Sequence, residues 1–187
     1  MQDQDDMNPR TEWDNLGTMV CWHRRYKLGD EQPSCSPDEY DLPDNAISLP
    51  LYLYDHSGIT MSTAPFNDRW DSGQVGFIYV TKEKLQAEGL GDKTKDEIES
   101  YLRAEVETYD DYLTGAVYQY IILDSEDNII DSCSGFFGYD HEKSGLLTNA
   151  KDEINAILKK KRQKHFSQLK EWIKHSVPLY ARKPYCQ

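Results

Sequence analysis

Thr94-Lys95-Asp96-Glu97-Ile98-Glu99-Ser100-Tyr101-Leu102-Arg103-Ala104-Glu105-Val106-Glu107-Thr108-Tyr109-Asp110-Asp111-Tyr112-Leu113 is the stretch on which the fold class turns. It opens as a capping box, with Thr94 at the N-cap and Glu97 at the third helical position. Ile98, Leu102, Val106, Tyr109 and Leu113 then recur at helical spacing and predict a buried face over 95–113. Gly115 is a suitable terminator. On both sides of this helix the period changes to two. Upstream, Leu16 to Trp22, Ala46 to Tyr54 and Val75 to Val80 read as strands. Pro50 inside the second argues for an edge position or a bulge. Downstream, Ala116 to Leu123 and Ile129 to Phe136 flank the turn-forming run Asp124-Ser125-Glu126-Asp127-Asn128, which predicts a hairpin. A last helix is expected from about Asn149 to His175, ending before Pro178. Its apolar stripe runs through Ile154, Ile157, Leu158, Phe166, Leu169, Trp172 and Ile173. Strands before and after a helix, then a closing helix, predict an α+β fold. A mainly antiparallel sheet carries two principal helices, the second long and C-terminal.

The chain has 187 residues, which suits a single domain over 1–187, with 1–12 fraying and 149–175 forming a basic C-terminal helix. The segment from Gly29 to Asp44, with three Pro and many acids, reads as a long loop. No apolar run is long enough to span a membrane. The opening Met-Gln-Asp-Gln-Asp-Asp is the opposite of a basic region leading an apolar one, so no secretory signal is expected. Four cysteines without a C-x-x-C pair then imply free thiols in a reducing, cytoplasmic setting. No cofactor is expected. Cys21, His23 and Cys35 would supply three zinc ligands, but the paired spacing of a four-ligand structural site is missing, so no metal is expected either.

Charge is the dominant compositional signal. The net charge is −12, with a pI near 4.8, which disfavours a duplex-coating protein. Residues 1–150 hold 30 acids against 11 bases, a balance of −19, while 151–187 hold 3 acids against 10 bases, a balance of +7. An acidic body of this kind either solvates itself or attracts a basic, nucleic-acid-binding surface. Along the 95–113 helix, Asp96, Glu99, Glu107 and Asp110 lie opposite the core stripe with Arg103 in the middle, successive members three or four positions apart, and Asp111 adds flanking charge. Such a row repeats every ~5–6 Å and would imitate a phosphate strand, or form an ordinary solvated face. Lys159, Lys160, Lys161, Arg162 and Lys164 form the one strong basic cluster. They would pair with the acidic body, touch nucleic acid or touch a partner.

A loop site is the remaining candidate. Asp55, His56 and Ser57 end one strand, and Trp70, Asp71 and Gln74 lead into another, where functional sites tend to sit. Adjacent residues rarely make a catalytic relay, and Asp55 and Ser57 equally suit a turn. Trp70 is expected to pack over a tight turn, and Cys133 to be a packed thiol in an acidic neighbourhood.

Four runs carry a resemblance. They are Leu51-Tyr52-Leu53-Tyr54-Asp55-His56-Ser57-Gly58-Ile59-Thr60, Trp70-Asp71-Ser72-Gly73-Gln74-Val75-Gly76-Phe77-Ile78-Tyr79-Val80, Glu105-Val106-Glu107-Thr108-Tyr109-Asp110-Asp111-Tyr112-Leu113-Thr114-Gly115 and Asp131-Ser132-Cys133-Ser134-Gly135-Phe136-Phe137-Gly138. Over roughly 15–140 the chain resembles small accessory proteins encoded by bacteriophages and other mobile genetic elements. The resemblance implies the cytoplasm of a bacterial host, and by analogy of class an anti-defence role; it carries over no catalytic residue. Taken with the charge, it leads to the expectation of an acidic protein that binds a host protein and inhibits a restriction or CRISPR-type nuclease by nucleic-acid mimicry. A nucleic-acid-associated factor working through the basic helix and a small enzyme are the alternatives.

Overall fold

The computed structural model describes residues 7–181. The fold is α+β. Contacts within the chain group into two compact units, one of residues 7–119 with 134–139, the other of 120–133 with 140–181.

The first unit is built on a four-stranded antiparallel sheet in the order β1-β4-β2-β3, from β1 (Thr18–Cys21), β2 (Ile47–Asp55), β3 (Ile59–Ser62) and β4 (Ser72–Val80). One sheet face alternates into the core through Met19, Cys21, Leu49, Leu51, Leu53, Met61, Ile78 and Val80. The helix α3 (Lys95–Leu113) lays Ile98, Leu102, Val106 and Tyr109 on that face. Its bounds match the stretch quoted at the outset. Pro50 stands in an inner strand, not at an edge, with a bulge between Leu51 and Tyr52. β3 pairs only with Tyr52–Asp55, so Pro50 lies beyond the reach of that ladder. Three elements escape sequence periodicity because they are too short to show one: α1 (Pro9–Glu12), within the stretch expected to fray; β3; and α2 (Lys82–Ala87). Of the stretch 1–12, residues 1–6 lie outside the described residues.

The start of α3 is set by the capping box. Thr94 Oγ1 accepts from the Glu97 N–H at 3.3 Å, and the Glu97 carboxylate accepts from the Thr94 N–H at 2.9 Å. The Lys93 ammonium bonds the same carboxylate at 2.8 Å. Lys93 foremost, then the Thr94 backbone and hydroxyl, pull the Glu97 carboxyl from its ordinary 4.5 to about 2. A carboxyl depressed in the folded state stabilises above its unfolded value and loses that contribution as pH falls through the folded one. The cap therefore weakens between about pH 4.5 and 2. Thr94→Ala should cost about 1 kcal/mol at neutral pH. Urea unfolding at a series of pH values should show the gap between wild type and Thr94→Ala narrowing across that acid window.

The hairpin of β5 (Val117–Leu123) and β6 (Ile129–Phe137) has its base in the first unit and its tip in the second. At the tip Asp124 accepts from the N–H groups of Glu126 and Asn128 at 2.8 and 3.0 Å, with Asp127 in the left-handed region. The second unit continues into α4 (Leu146–Ser176), a 31-residue helix. Here the structure corrects the sequence reading. The stripe expected to be buried is exposed at Ile154, Leu158, Phe166, Leu169 and Trp172, with Ile157 and Ile173 half-buried. From residue 158 to 172 every position is exposed. The amphipathic period was read correctly, but period alone does not say what covers the apolar face. Among the described residues no helix is long and apolar enough to cross a membrane.

Candidate functional site

Two features distinguish themselves: a polar hollow at the strand ends of the first unit, and the exposed face of α4.

The hollow encloses about 290 Å³ and is lined by His23, Arg25, Asp55, Trp70, Asp71 and their backbone neighbours on β4. Antiparallel pairing brings the end of β2 against the start of β4, with Tyr54 opposite Ser72. The Asp55 N–H donates to the Asp71 carbonyl at 2.8 Å and fixes the two loops together. His56 Nδ1 then meets Asp71 Oδ2 at 2.8 Å. Asp68 holds the second loop by accepting from the N–H groups of Trp70 and Asp71, both at 2.8 Å. Those two bonds hold its carboxyl below the ordinary carboxylate value. Ser57 sits in the left-handed region at the β2–β3 turn. Gln74 bonds along its own strand to the Gly76 carbonyl at 3.3 Å and does not line the hollow.

Sequence reasoning joined the two loops but missed the third wall. His23 and Arg25 come from the segment after β1, and Arg25 pairs directly with Asp55. His23 Nδ1 accepts from the N–H groups of Arg25 and Tyr26 at 3.3 and 3.1 Å, which leaves the ring hydrogen of the neutral form on Nε2, 4.0 Å from Asp55 Oδ2. The cluster His23-Arg24-Arg25 was the available signal, since three such groups in a row are unusual in so acidic a segment. Trp70 does not pack over the turn. It is 92% exposed at the mouth of the hollow. The aspartates that brace the loop leave its indole free.

Zinc ligation is not assembled. Among the described residues no three His, Cys, Asp or Glu side chains are placed to hold a metal ion. Cys21 is a core thiol, pushed up to about 12 by burial first and then by Asp30. Cys133, expected to pack, is exposed, and Cys186 lies outside the described residues.

The carboxylate row on α3 is broken up by internal bonds. Asp96 and Glu107 are exposed. Glu99 pairs with Arg103 at 2.8 Å and Lys95 at 3.6 Å. Asp110 is half-buried and accepts from Thr60 Oγ1 and the Met61 N–H, both at 2.6 Å, tying α3 to β3. Asp111 is half-buried beside Gly138, where a Cβ would meet its Oδ2 at 3.2 Å. Asp110→Ala should destabilise by about 1–3 kcal/mol, because it leaves a buried N–H without its acceptor. Asp96→Asn should stay within about 0.5 kcal/mol. Equal urea midpoints for the two variants would show that Asp110 is a surface group.

On α4, Lys159, Lys160, Lys161, Arg162 and Lys164 are all exposed. Lys161 acts on Asp124 of the hairpin tip and helps to lower its carboxyl, after the Asn128 bonds. Among the described residues, the ion pairs of this helix are those of Glu171 with Lys174 and His175. Residues 159–174 carry seven Lys and Arg against one Glu.

Compared with known proteins, the chain matches no family model, no curated protein and no solved structure.

Proposed function

We propose that this chain acts by binding another protein, with α4 as its recognition element. One observation carries the reading: residues 158–172 are exposed at every position, yet include Phe166 and Trp172, each 60% exposed, and Leu169. An isolated helix is marginal in water, and covering an apolar stripe is what stabilises it. Burial of each large side chain is worth on the order of 1.5–3 kcal/mol before ordering costs. Seven cations around the stripe select an apolar groove with an acidic rim, the helix-in-groove mode of recognition.

Other occupants are opposed by charge. The basic cluster sits near the middle of α4, so pairing α4 with a second α4 in antiparallel register sets the two clusters against each other. The first unit has 24 acids against 10 bases in residues 1–119, so an anionic membrane repels it. The resemblance to mobile-element accessory proteins sets the partner in a bacterial host, and inhibition of a defence nuclease is the role this setting suggests. A second reading keeps a basic, nucleic-acid-binding partner. It is favoured by the charge of the first unit and by Asp96 and Glu107, which remain exposed on one face of α3.

Photo-crosslinking from position 172 in host cells, followed by titration of the purified partner, tests the proposal. The triple variant Phe166→Ser, Leu169→Ser, Trp172→Ser should weaken binding about 100-fold. Asp96→Asn with Glu107→Gln should leave it nearly unchanged. The reverse pattern assigns recognition to the acidic face and overturns α4. Binding to duplex DNA or anionic vesicles, with no purified protein bound, overturns it as well.

A further inference from the structure

The hollow at the strand ends has the composition of a ligand site, and the geometry points to a small anionic ligand carrying an aromatic ring, of the nucleotide class. This inference is independent of the role of α4.

Trp70 is the first element. A singly exposed tryptophan is unremarkable on its own. This one stands at the mouth of a concavity, and its backbone is held by the Asp68 carboxylate. An exposed indole face on an anchored loop is a platform for any flat ring, and stacking of a base on an aromatic side chain contributes about 1–3 kcal/mol.

The second element is local positive charge in a strongly negative unit. His23, Arg24 and Arg25 are consecutive, and Arg24 lines a neighbouring hollow of about 460 Å³ that shares His23, Arg25 and Asp55 with the first. Among the described residues Arg24 makes no ion pair. Two concavities meeting at one arginine–carboxylate pair give room for a ring on one side and an anion on the other, within the usual size of small-ligand sites.

The third element is the state of the two carboxylates. Asp55 is answered by Arg25, and Asp71 Oδ2 is held 2.8 Å from His56 Nδ1, so both carboxylates are already engaged within the site. Paired in this way they still accept hydrogen bonds, which suits the hydroxyls of a ribose. The acidity of the rest of the unit repels a phosphate that has no ring to anchor it. A ring without the anion leaves Arg24 unused. Both halves of the ligand are therefore needed.

A free mononucleotide and the end of a nucleic-acid strand share this chemistry. Calorimetric titration of the full chain with AMP, adenosine, inorganic phosphate and a 5′-phosphorylated dinucleotide separates the cases. AMP or the dinucleotide should bind saturably, and whichever binds more tightly identifies the source. Trp70→Ala and Arg24→Ala should each weaken that binding about tenfold or more, while Trp70→Phe retains most of it. Both side chains are exposed, so an unchanged urea midpoint shows that the variants are folded. The inference is overturned by any of three results: no saturable binding of either nucleotide up to about 1 mM, adenosine or phosphate binding as well as AMP, or unchanged binding by both variants.

Discussion

Gly76→Ala will destabilise the protein by about 3 kcal/mol or more, through a single added methyl group. A Cβ built on Gly76 lies 1.9 Å from the Val20 carbonyl oxygen and 3.0 Å from the Cys21 Cα. Both are backbone atoms of β1, so no rotamer change relieves the clash. The only remedy is to part β1 from β4, whose ladder runs from Thr18 opposite Tyr79 to Cys21 opposite Gly76. That ladder places Met19 and Cys21 in the core, so parting it opens the sheet where α3 packs. Gly73, in the same strand, has nothing within 4 Å of its notional Cβ. Gly73→Ala is the internal control and should shift the urea midpoint little. Equal midpoints for the two variants would show that β1 does not approach β4 at Gly76.

The second large effect is expected at Arg10. Its side chain is 1% exposed and its guanidinium pairs with Asp30 and, at 2.9 Å, with Glu105, while donating to the Gly17 carbonyl at 2.7 Å. Burial alone disfavours its charge, but the bonds from Asp30 and Glu105 outweigh this and raise its pKa above the ordinary value. Glu105 also accepts from the Leu16 N–H at 2.6 Å, so α1, the approach to β1 and α3 meet at this one cation. Arg10→Met leaves two carboxylates facing each other without the charge between them. The expected cost is about 3–5 kcal/mol. Adding Glu105→Gln to Arg10→Met should recover part of that loss, because one of the stranded charges is then neutral. A double variant no more stable than Arg10→Met would show that the loss is one of packing.

Glu105 and Arg10 also show where sequence reading stops. The period of α3, its cap and the alternation of β2 and β4 are local signals, and they placed the core. Glu105 carries the same local signal as Glu107, two positions on. What separates them is Arg10, 95 positions away in the chain. Asp110 and Asp96 differ in the same way, since Thr60 and Met61 on β3 reach one and not the other. The row of acids was therefore legible as composition but not as a surface. In the hollow, the polar and Gly-rich character of both loops marked the place. The contributions of His23 and Arg25 depend on β1 pairing beside β4, a neighbour more than 50 positions away that no local pattern announces.

The first unit is discontinuous in sequence, and this has a consequence for the order in which the protein is made. Its last pieces are residues 134–139, which supply Phe136 to the core, seat Phe137 against Trp13 at 5.0 Å, and let the Gly138 N–H bond the Ala116 carbonyl at 2.8 Å. A nascent chain that has passed residue 119 thus holds four paired strands and α3 but still lacks this closing segment. Completion waits until the hairpin tip and residue 139 have left the ribosome, by which point α4 is already being synthesised. A message truncated anywhere between codons 120 and 138 yields an unfinished first unit, whereas one ending just after 139 yields a finished one without the helix.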